Sequence, residues 1–179
     1  MANSEKTITI RQANAGDAAL ISVLAAATFY EAYFDQDESA NLAGYISQSF
    51  GLNKIQSELD DPTVVFVLIF VSKKAVGYAK LDRNSSLDCI NDDNRIELKR
   101  LYIMERVYGK GIGSKLLEHC LALAKDGGFG TLWLQVWEEN PRARRFYEKY
   151  GFKEVGRVKV PYGDVIGTNL VMEKSLDVI

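Results

Sequence analysis

The stretch Val107-Tyr108-Gly109-Lys110-Gly111-Ile112-Gly113-Ser114-Lys115-Leu116-Leu117 constrains this chain more than any other. It follows a run of strand character, Ile96 to Met104, and opens a helical run that continues to Lys125. Glycines at alternate positions let the backbone turn tightly and bring N–H groups close to a ligand. The first turn of a helix adds N–H groups without partners and the positive end of the helix dipole. Strand, glycine turn and helix N-terminus in that order suit phosphate oxygens.

Spacing decides which phosphate-bearing ligand. A Walker A loop requires Gly-x-x-x-x-Gly-Lys-Ser/Thr, and the position that needs the second glycine holds Ser114. A dinucleotide fingerprint, Gly-x-Gly-x-x-Gly, ends on Ser114 when started at Gly109 and on Leu116 when started at Gly111. A kinase glycine-rich loop covers a hairpin and does not open a helix. All three patterns fail.

A second motif follows, Trp137-Glu138-Glu139-Asn140-Pro141-Arg142-Ala143-Arg144-Arg145-Phe146-Tyr147-Glu148-Lys149-Tyr150-Gly151-Phe152. Here the chain resembles the GNAT superfamily of acyl-CoA N-acyltransferases. That family's pattern Asn-x-x-Ala-x-x-x-Tyr-x-x-x-Gly-Phe is complete at Asn140, Ala143, Tyr147, Gly151 and Phe152. Its pyrophosphate pattern, Gln/Arg-x-x-Gly-x-Gly/Ala, matches at Gly111 and Gly113, with Tyr108 in place of Gln or Arg. The resemblance implies an α/β (mixed α+β) fold, a central mixed and mostly antiparallel sheet flanked by helices. It also implies acetyl-CoA as cosubstrate.

The chain of 179 residues is the length of one domain, and a single acetyltransferase domain over 1–179 is expected. With 47% apolar and 26% charged residues and a net charge of -2, it has a soluble composition and no basic run for nucleic acid. The N-terminus lacks a signal-peptide core. The apolar run Val64 to Val71 is far too short to span a membrane. Cys89 and Cys120 are the only cysteines, which suits a reduced cytoplasmic location and leaves no metal-ligand cluster. His119, mid-helix, reads as surface or packing, and Cys120 and Trp133 read as core.

Patterning predicts a strand at Thr7–Arg11 and a helix at Ala18–Tyr33, capped by Asp17, with Leu20, Leu24, Ala27 and Phe29 on its apolar face. Helices follow at Leu42–Phe50 and Leu52–Leu59. A hairpin comes next at Val64–Val71 and Val76–Leu81, then a polar loop at Arg83–Asn94. The strand at 95–104 leads through the glycine loop into a helix, Gly113–Lys125, ended by Gly127-Gly128. A buried strand, Thr131–Val136, precedes a helix that begins at Pro141 and ends before Gly151. A last hairpin, Phe152–Val160 and Ile166–Lys174, turns at Pro161–Asp164.

Acetyl transfer needs a held thioester, a neutral attacking amine and a proton for the leaving thiolate. By resemblance, the backbone of Leu101, Tyr102 and Ile103 pairs with the pantetheine arm. The amides of Tyr108, Gly109, Lys110, Gly111, Ile112, Gly113 and Ser114 cradle the pyrophosphate, and Asn140 binds the arm. Lys110 and Lys115 either add charge near phosphate or are simply solvated. Tyr147 matches the family's general acid, and a tyrosine hydroxyl stays protonated at neutral pH. Glu97 is the candidate base, acting through water; Lys99 lies on its side of the strand, so an ion pair is the competing reading.

A closer resemblance narrows the acceptor. Thr28-Phe29-Tyr30-Glu31-Ala32-Tyr33-Phe34, Trp133–Glu138 and the tail Gly163-Asp164 with Thr168–Lys174 are similar to the bacterial Pai-type spermidine/spermine N-acetyltransferases. This implies a small cationic amine, with Phe29 and Tyr33 lining a slot and Glu31 and Asp164 drawing positive charge. Core packing competes for Phe29 and Tyr33. Acetylation of a protein N-terminus, an amino acid or an antibiotic stays open, as do a non-catalytic CoA sensor and a homodimer. No nucleic-acid or membrane partner is expected.

Overall fold

Period-two runs become strands and 3.6-period runs become helices in close agreement with the sequence pattern. The structure, a computed structural model, describes residues 7–162 and 165–176. In chain order it contains β1 (Ile8–Gln12), α1 (Ala18–Tyr33), α2 (Ser39–Phe50), α3 (Leu52–Asp60), β2 (Val64–Val71), β3 (Lys74–Asp82) and β4 (Arg95–Ile103). Then come α4 (Ile112–Asp126), β5 (Thr131–Trp137), α5 (Pro141–Lys149), β6 (Lys153–Tyr162) and β7 (Val165–Ser175). Short 3-10 turns lie at Ala15–Asp17 and Glu105–Val107. The strands form one 7-stranded sheet of order β1-β2-β3-β4-β5-β7-β6. It is mixed: β4 and β5 run parallel, while β1–β2, β5–β7 and β6–β7 run antiparallel.

Two compact units can be distinguished, one comprising the chain up to Lys80 with Arg100–Cys120, the other Leu81–Lys99 with the chain from Leu121. In the first, Phe66, Val67, Leu68 and Ile69 of β2 and Ile21, Leu24 and Ala25 of α1 are all buried, the strand residues alternating between the two faces of the sheet. The buried face of α1 is Ala18, Ile21, Leu24, Ala25, Thr28 and Phe29, so Leu20 and Ala27 lie at its margin. The helix is apolar nearly all round, which blurs its periodicity. Within the same unit Glu58 is 8% exposed and faces Lys80 Nζ at 3.0 Å and Arg100 at 3.1 Å, with the more exposed Lys54 Nζ at 3.7 Å. Removing one member of such a buried set strands the charge of the others.

Asp17 does not cap α1. Its carboxylate accepts from both Arg11 guanidinium nitrogens, at 2.7 and 2.8 Å, and from the Asn14 N–H at 2.9 Å. Asn14 returns the favour by accepting from Gly16 N, so the two side chains form a capping box on the 3-10 turn instead.

In the second unit β5 is the central strand, with Leu132, Trp133 and Leu134 at most 1% exposed. The polar loop before β4 is anchored on it: Leu87, Cys89 and Ile90 pack with Trp133, Val158 and Val171. The last hairpin is longer than its sequence suggests. Pro161 and Tyr162 belong to β6, with Pro161 opposite Ile166. A proline fits there because β6 is an edge strand and needs no N–H on its outer side. The tip, Gly163 and Asp164, lies outside the described residues.

Candidate active site

The glycine loop is built for close approach. After β4, the turn Glu105–Val107 is closed by Tyr108 N bonding to Glu105 O at 2.9 Å. Gly109 and Gly111 then take the left-handed conformation, φ 75° and 72°. A side chain is strained at those angles. The place a Cβ would occupy at either residue meets no atom within 4 Å, so these backbones face open space. Lys115 N bonds to Gly111 O at 3.1 Å, one turn into α4. The amides of Ile112, Gly113 and Ser114 therefore belong to the set that a helix cannot pair for itself. Ile112 buries its side chain, which anchors the helix start beneath the loop. Lys110 is exposed and its ammonium donates to Arg106 O at 3.1 Å.

The strand before this loop carries a division of labour. In its second half Leu101 is half-buried and Ile103 is buried. The Tyr102 side chain enters an aromatic cluster with Tyr78 (6.1 Å between ring centroids) and Phe29 (6.3 Å), and its hydroxyl bonds to that of Tyr33. Burial pushes both phenols up, so each stays protonated well into the alkaline range. Phe29 is 4% exposed, stacked on Tyr45 at 4.6 Å and close to Tyr33 at 4.5 Å. The ring is core, while its neighbours Tyr33 and Tyr45 are partly exposed. Glu31 is occupied as well: its carboxylate accepts the Glu105 N–H at 3.0 Å, capping the turn that precedes the glycine loop.

In the first half of β4, Glu97 is 2% exposed. The ion pair with Lys99 is present, at 3.1 Å to Oε2. The other oxygen, Oε1, accepts from Gln135 Nε2 at 3.2 Å, and Gln135 Oε1 accepts from Asn169 Nδ2 at 3.3 Å. Lys99 also touches Ser85 Oγ (3.0 Å) and Asp82 (3.6 Å). Neither Gln135 nor Asn169 stands out by motif. The signal in the sequence is one amide within an otherwise apolar strand, Thr-Leu-Trp-Leu-Gln-Val-Trp. The parallel ladder with β5 covers Arg95 to Glu97, and β4 continues to Ile103.

The second motif is the start and finish of α5. Asn140 is its N-cap, accepting from Ala143 N at 3.0 Å, with Pro141 in the first turn. Gly151, at φ 85°, ends it: Gly151 N bonds to Glu148 O and Phe152 N to Tyr147 O. That is a Schellman motif, and the Phe152 ring packs on Tyr147 at 5.7 Å as its hydrophobic contact. All five motif residues thus have a structural duty on the helix. The phenol of Tyr147 is 9% exposed, between the Phe146 and Phe152 rings.

Asp164 lies outside the described residues. Among the described residues no cluster of His, Cys, Asp or Glu could hold a metal ion, and no helix is long and apolar enough to cross a membrane. Burial pushes the Cys120 thiol up to about 12, which makes it inert. A recess of about 310 Å³ is lined by Ser86, Leu87, Asp88, Cys89, Arg157 and Val158, none of them a residue singled out for chemistry.

The open glycine cradle and the intact second motif agree with comparison to known proteins. The acetyltransferase (GNAT) family pattern matches residues 24–152. The chain belongs to the acetyltransferase (GNAT) family. It is therefore an N-acetyltransferase, with acetyl-CoA as cosubstrate. An uncharacterised N-acetyltransferase of Mycobacterium tuberculosis is 32% identical over 160 residues, covering 89% of this chain and 98% of that protein. The spermine/spermidine N(1)-acetyltransferase of Bacillus subtilis is 33% identical over 84 residues, 46% of this chain and 55% of that one. The crystal structure of the PaiA N-acetyltransferase from Thermoplasma acidophilum in complex with coenzyme A has the same GNAT fold. It superposes with a TM-score of 0.77 at 23% identity, over 94% of this chain and 99% of that one.

Proposed function

We propose that this enzyme moves acetyl from acetyl-CoA to a primary amine of a small cationic molecule, a polyamine such as spermidine or spermine. The observation that carries the donor side is the cradle at Gly109 and Gly111, left-handed and facing open space. Pyrophosphate oxygens there meet the amides from Gly109 to Ser114 at a helix N-terminus, while the Tyr108 N–H is already given to Glu105 O. The backbone of Leu101, Tyr102 and Ile103 pairs with the pantetheine arm, a role compatible with a Tyr102 side chain that is turned into the aromatic cluster. Asn140 spends Oδ1 on its helix, and its Nδ2 donors serve the arm.

The chemistry is a single displacement. Glu97 takes a proton from the substrate ammonium, through water or directly. The amine nitrogen then bonds to the acetyl carbon, the carbon–sulfur bond breaks, Tyr147 gives its hydroxyl proton to the departing thiolate, and the new amide nitrogen sheds its second proton to solvent. Solvent later restores both groups. On the acceptor side, Tyr33 offers an aromatic edge backed by the buried Phe29, and Glu31 and Asp164 supply negative charge. The polyamine reading is supported by the Bacillus subtilis relative. A cytoplasmic location is part of it, in keeping with the free thiols of Cys89 and Cys120.

The test is a thiol-release assay over spermidine, spermine, neutral amino-acid amides and peptide N-termini. Polyamines should give the highest kcat/KM, and their KM should rise with salt as screening weakens the charge attraction. An uncharged acceptor preferred over both polyamines, or a KM indifferent to salt, overturns the acceptor assignment. If acetyl-CoA binds but no amine is acetylated, a CoA-binding sensor module is the better description.

A further inference from the structure

We infer that Gln135, backed by Asn169, is a positioning residue that pins one oxygen of Glu97 so that the other is left to exchange protons. The inference deepens the proposed function and rests on its assignment of Glu97 as the base. A carboxylate only 2% exposed is costly to keep ionised without hydrogen bonds to both oxygens. Here each oxygen has one donor, and the two donors differ in kind. Gln135 reaches Oε1 at 3.2 Å and Lys99 reaches Oε2 at 3.1 Å.

The amide of Gln135 has no freedom in this arrangement. An ionised carboxylate only accepts, so the NH2 must face Glu97 and the carbonyl must face away. Asn169 Nδ2 donates to that carbonyl at 3.3 Å, which opposes a flip. Sheet geometry makes the chain of contacts possible. Glu97 pairs with Trp133, Gln135 is two residues further along the same face, and Asn169 pairs with Trp137 two residues beyond that. The three polar residues lie diagonally on neighbouring strands, within reach of long side chains.

Lys99 is held quite differently. Its ammonium has Ser85 Oγ at 3.0 Å and Asp82 Oδ2 at 3.6 Å as further partners, and its side chain is 38% exposed. With three rotating donors it can release Oε2 and remain paired. Gln135 has no such alternative. Oε2 is therefore the oxygen that meets the proton of the acceptor ammonium, while Oε1 stays fixed by neutral donors that do not titrate.

The experiment is a mutant cycle on the full-length enzyme with a saturating amine acceptor. Gln135→Met should keep the fold and the KM for acetyl-CoA and lower kcat about tenfold or more, the scale of a misaligned catalytic group. In the Glu97→Gln background the same change should cost nothing further, because the group it positions no longer acts as base. Asn169→Ala should give a smaller loss that likewise vanishes in that background, and it carries the test if Gln135→Met does not fold. Full kcat in both single variants overturns the inference, and so does an equal loss with and without Glu97. A fully active Glu97→Gln enzyme removes the base assignment itself, a separate result read from that variant alone.

Discussion

Tyr147 has a structural duty that the structure describes and a chemical one that is proposed. Its backbone carbonyl receives the Phe152 N–H at 3.2 Å and its ring receives the Phe152 ring, so the aromatic body is needed for the helix end. The proposed role as general acid uses the hydroxyl, which phenylalanine lacks. Tyr147→Phe should therefore keep the thermal midpoint and most of the coenzyme affinity while kcat falls roughly 10²-fold, as for loss of a positioned general acid. Turnover and calorimetric CoA binding on the same preparation check this; an unchanged kcat removes Tyr147 from the mechanism. Phe29 stands at the other extreme. Its type and its place near Tyr33 were legible in the sequence, but an aromatic ring reads alike whether it lines a slot or fills a core. Its burial, stacked on Tyr45 and in tilted contact with Phe50, shows that it is core.

At the scale of elements, the termini of α5 explain why its motif is so easily read. Cap chemistry is local: an Asn accepting from N3, a Pro in the first turn and a left-handed Gly need no distant partner. The same locality confounds mutagenesis at Asn140, where the cap and the proposed coenzyme contact share one side chain. Two substitutions separate them. Asn140→Asp keeps an acceptor for Ala143 N and should retain stability while weakening CoA binding through loss of the Nδ2 donors. Asn140→Ala should weaken binding and also cost about 1 kcal/mol of stability. Denaturant unfolding and calorimetry on both variants check the split. Equal coenzyme affinity in Asn140→Asp and wild type would show that the residue is a cap alone. The start of α1 gives the opposite lesson. Asp17 has the right type for a cap and the right place, yet its carboxylate is taken by Arg11 from the preceding strand.

For the whole molecule, that last pair makes stability depend on pH. Hydrogen bonds from Arg11 hold the Asp17 carboxyl below its ordinary range; burial opposes this, and the Asn14 N–H and the Arg11 charge add to it. An unfolded Asp titrates near about 3.9. With the folded value lower, the contribution is fully present above that pH and is lost as pH falls through the folded value. Asp17→Asn should thus unfold more readily than wild type at neutral pH, and the gap should close in acid below about pH 4. Denaturation across a pH series checks it, and a gap that stays constant to the lowest pH would rule the pair out as its cause. What the sequence by itself determined was whatever is encoded in neighbouring residues: strand and helix runs, the glycine turn, the caps of α5 and through them the family. Tertiary structure decided which of the apolar residues of α1 are buried, keeping Leu24 and Phe29 and moving Leu20 and Ala27 to the margin, because a helix apolar nearly all round gives a weak periodic signal. It alone allowed Pro161 in a strand, because only an edge tolerates a missing donor. And it alone joined Glu97, Gln135 and Asn169, since sheet order is set by packing and brings together side chains that the chain itself keeps far apart.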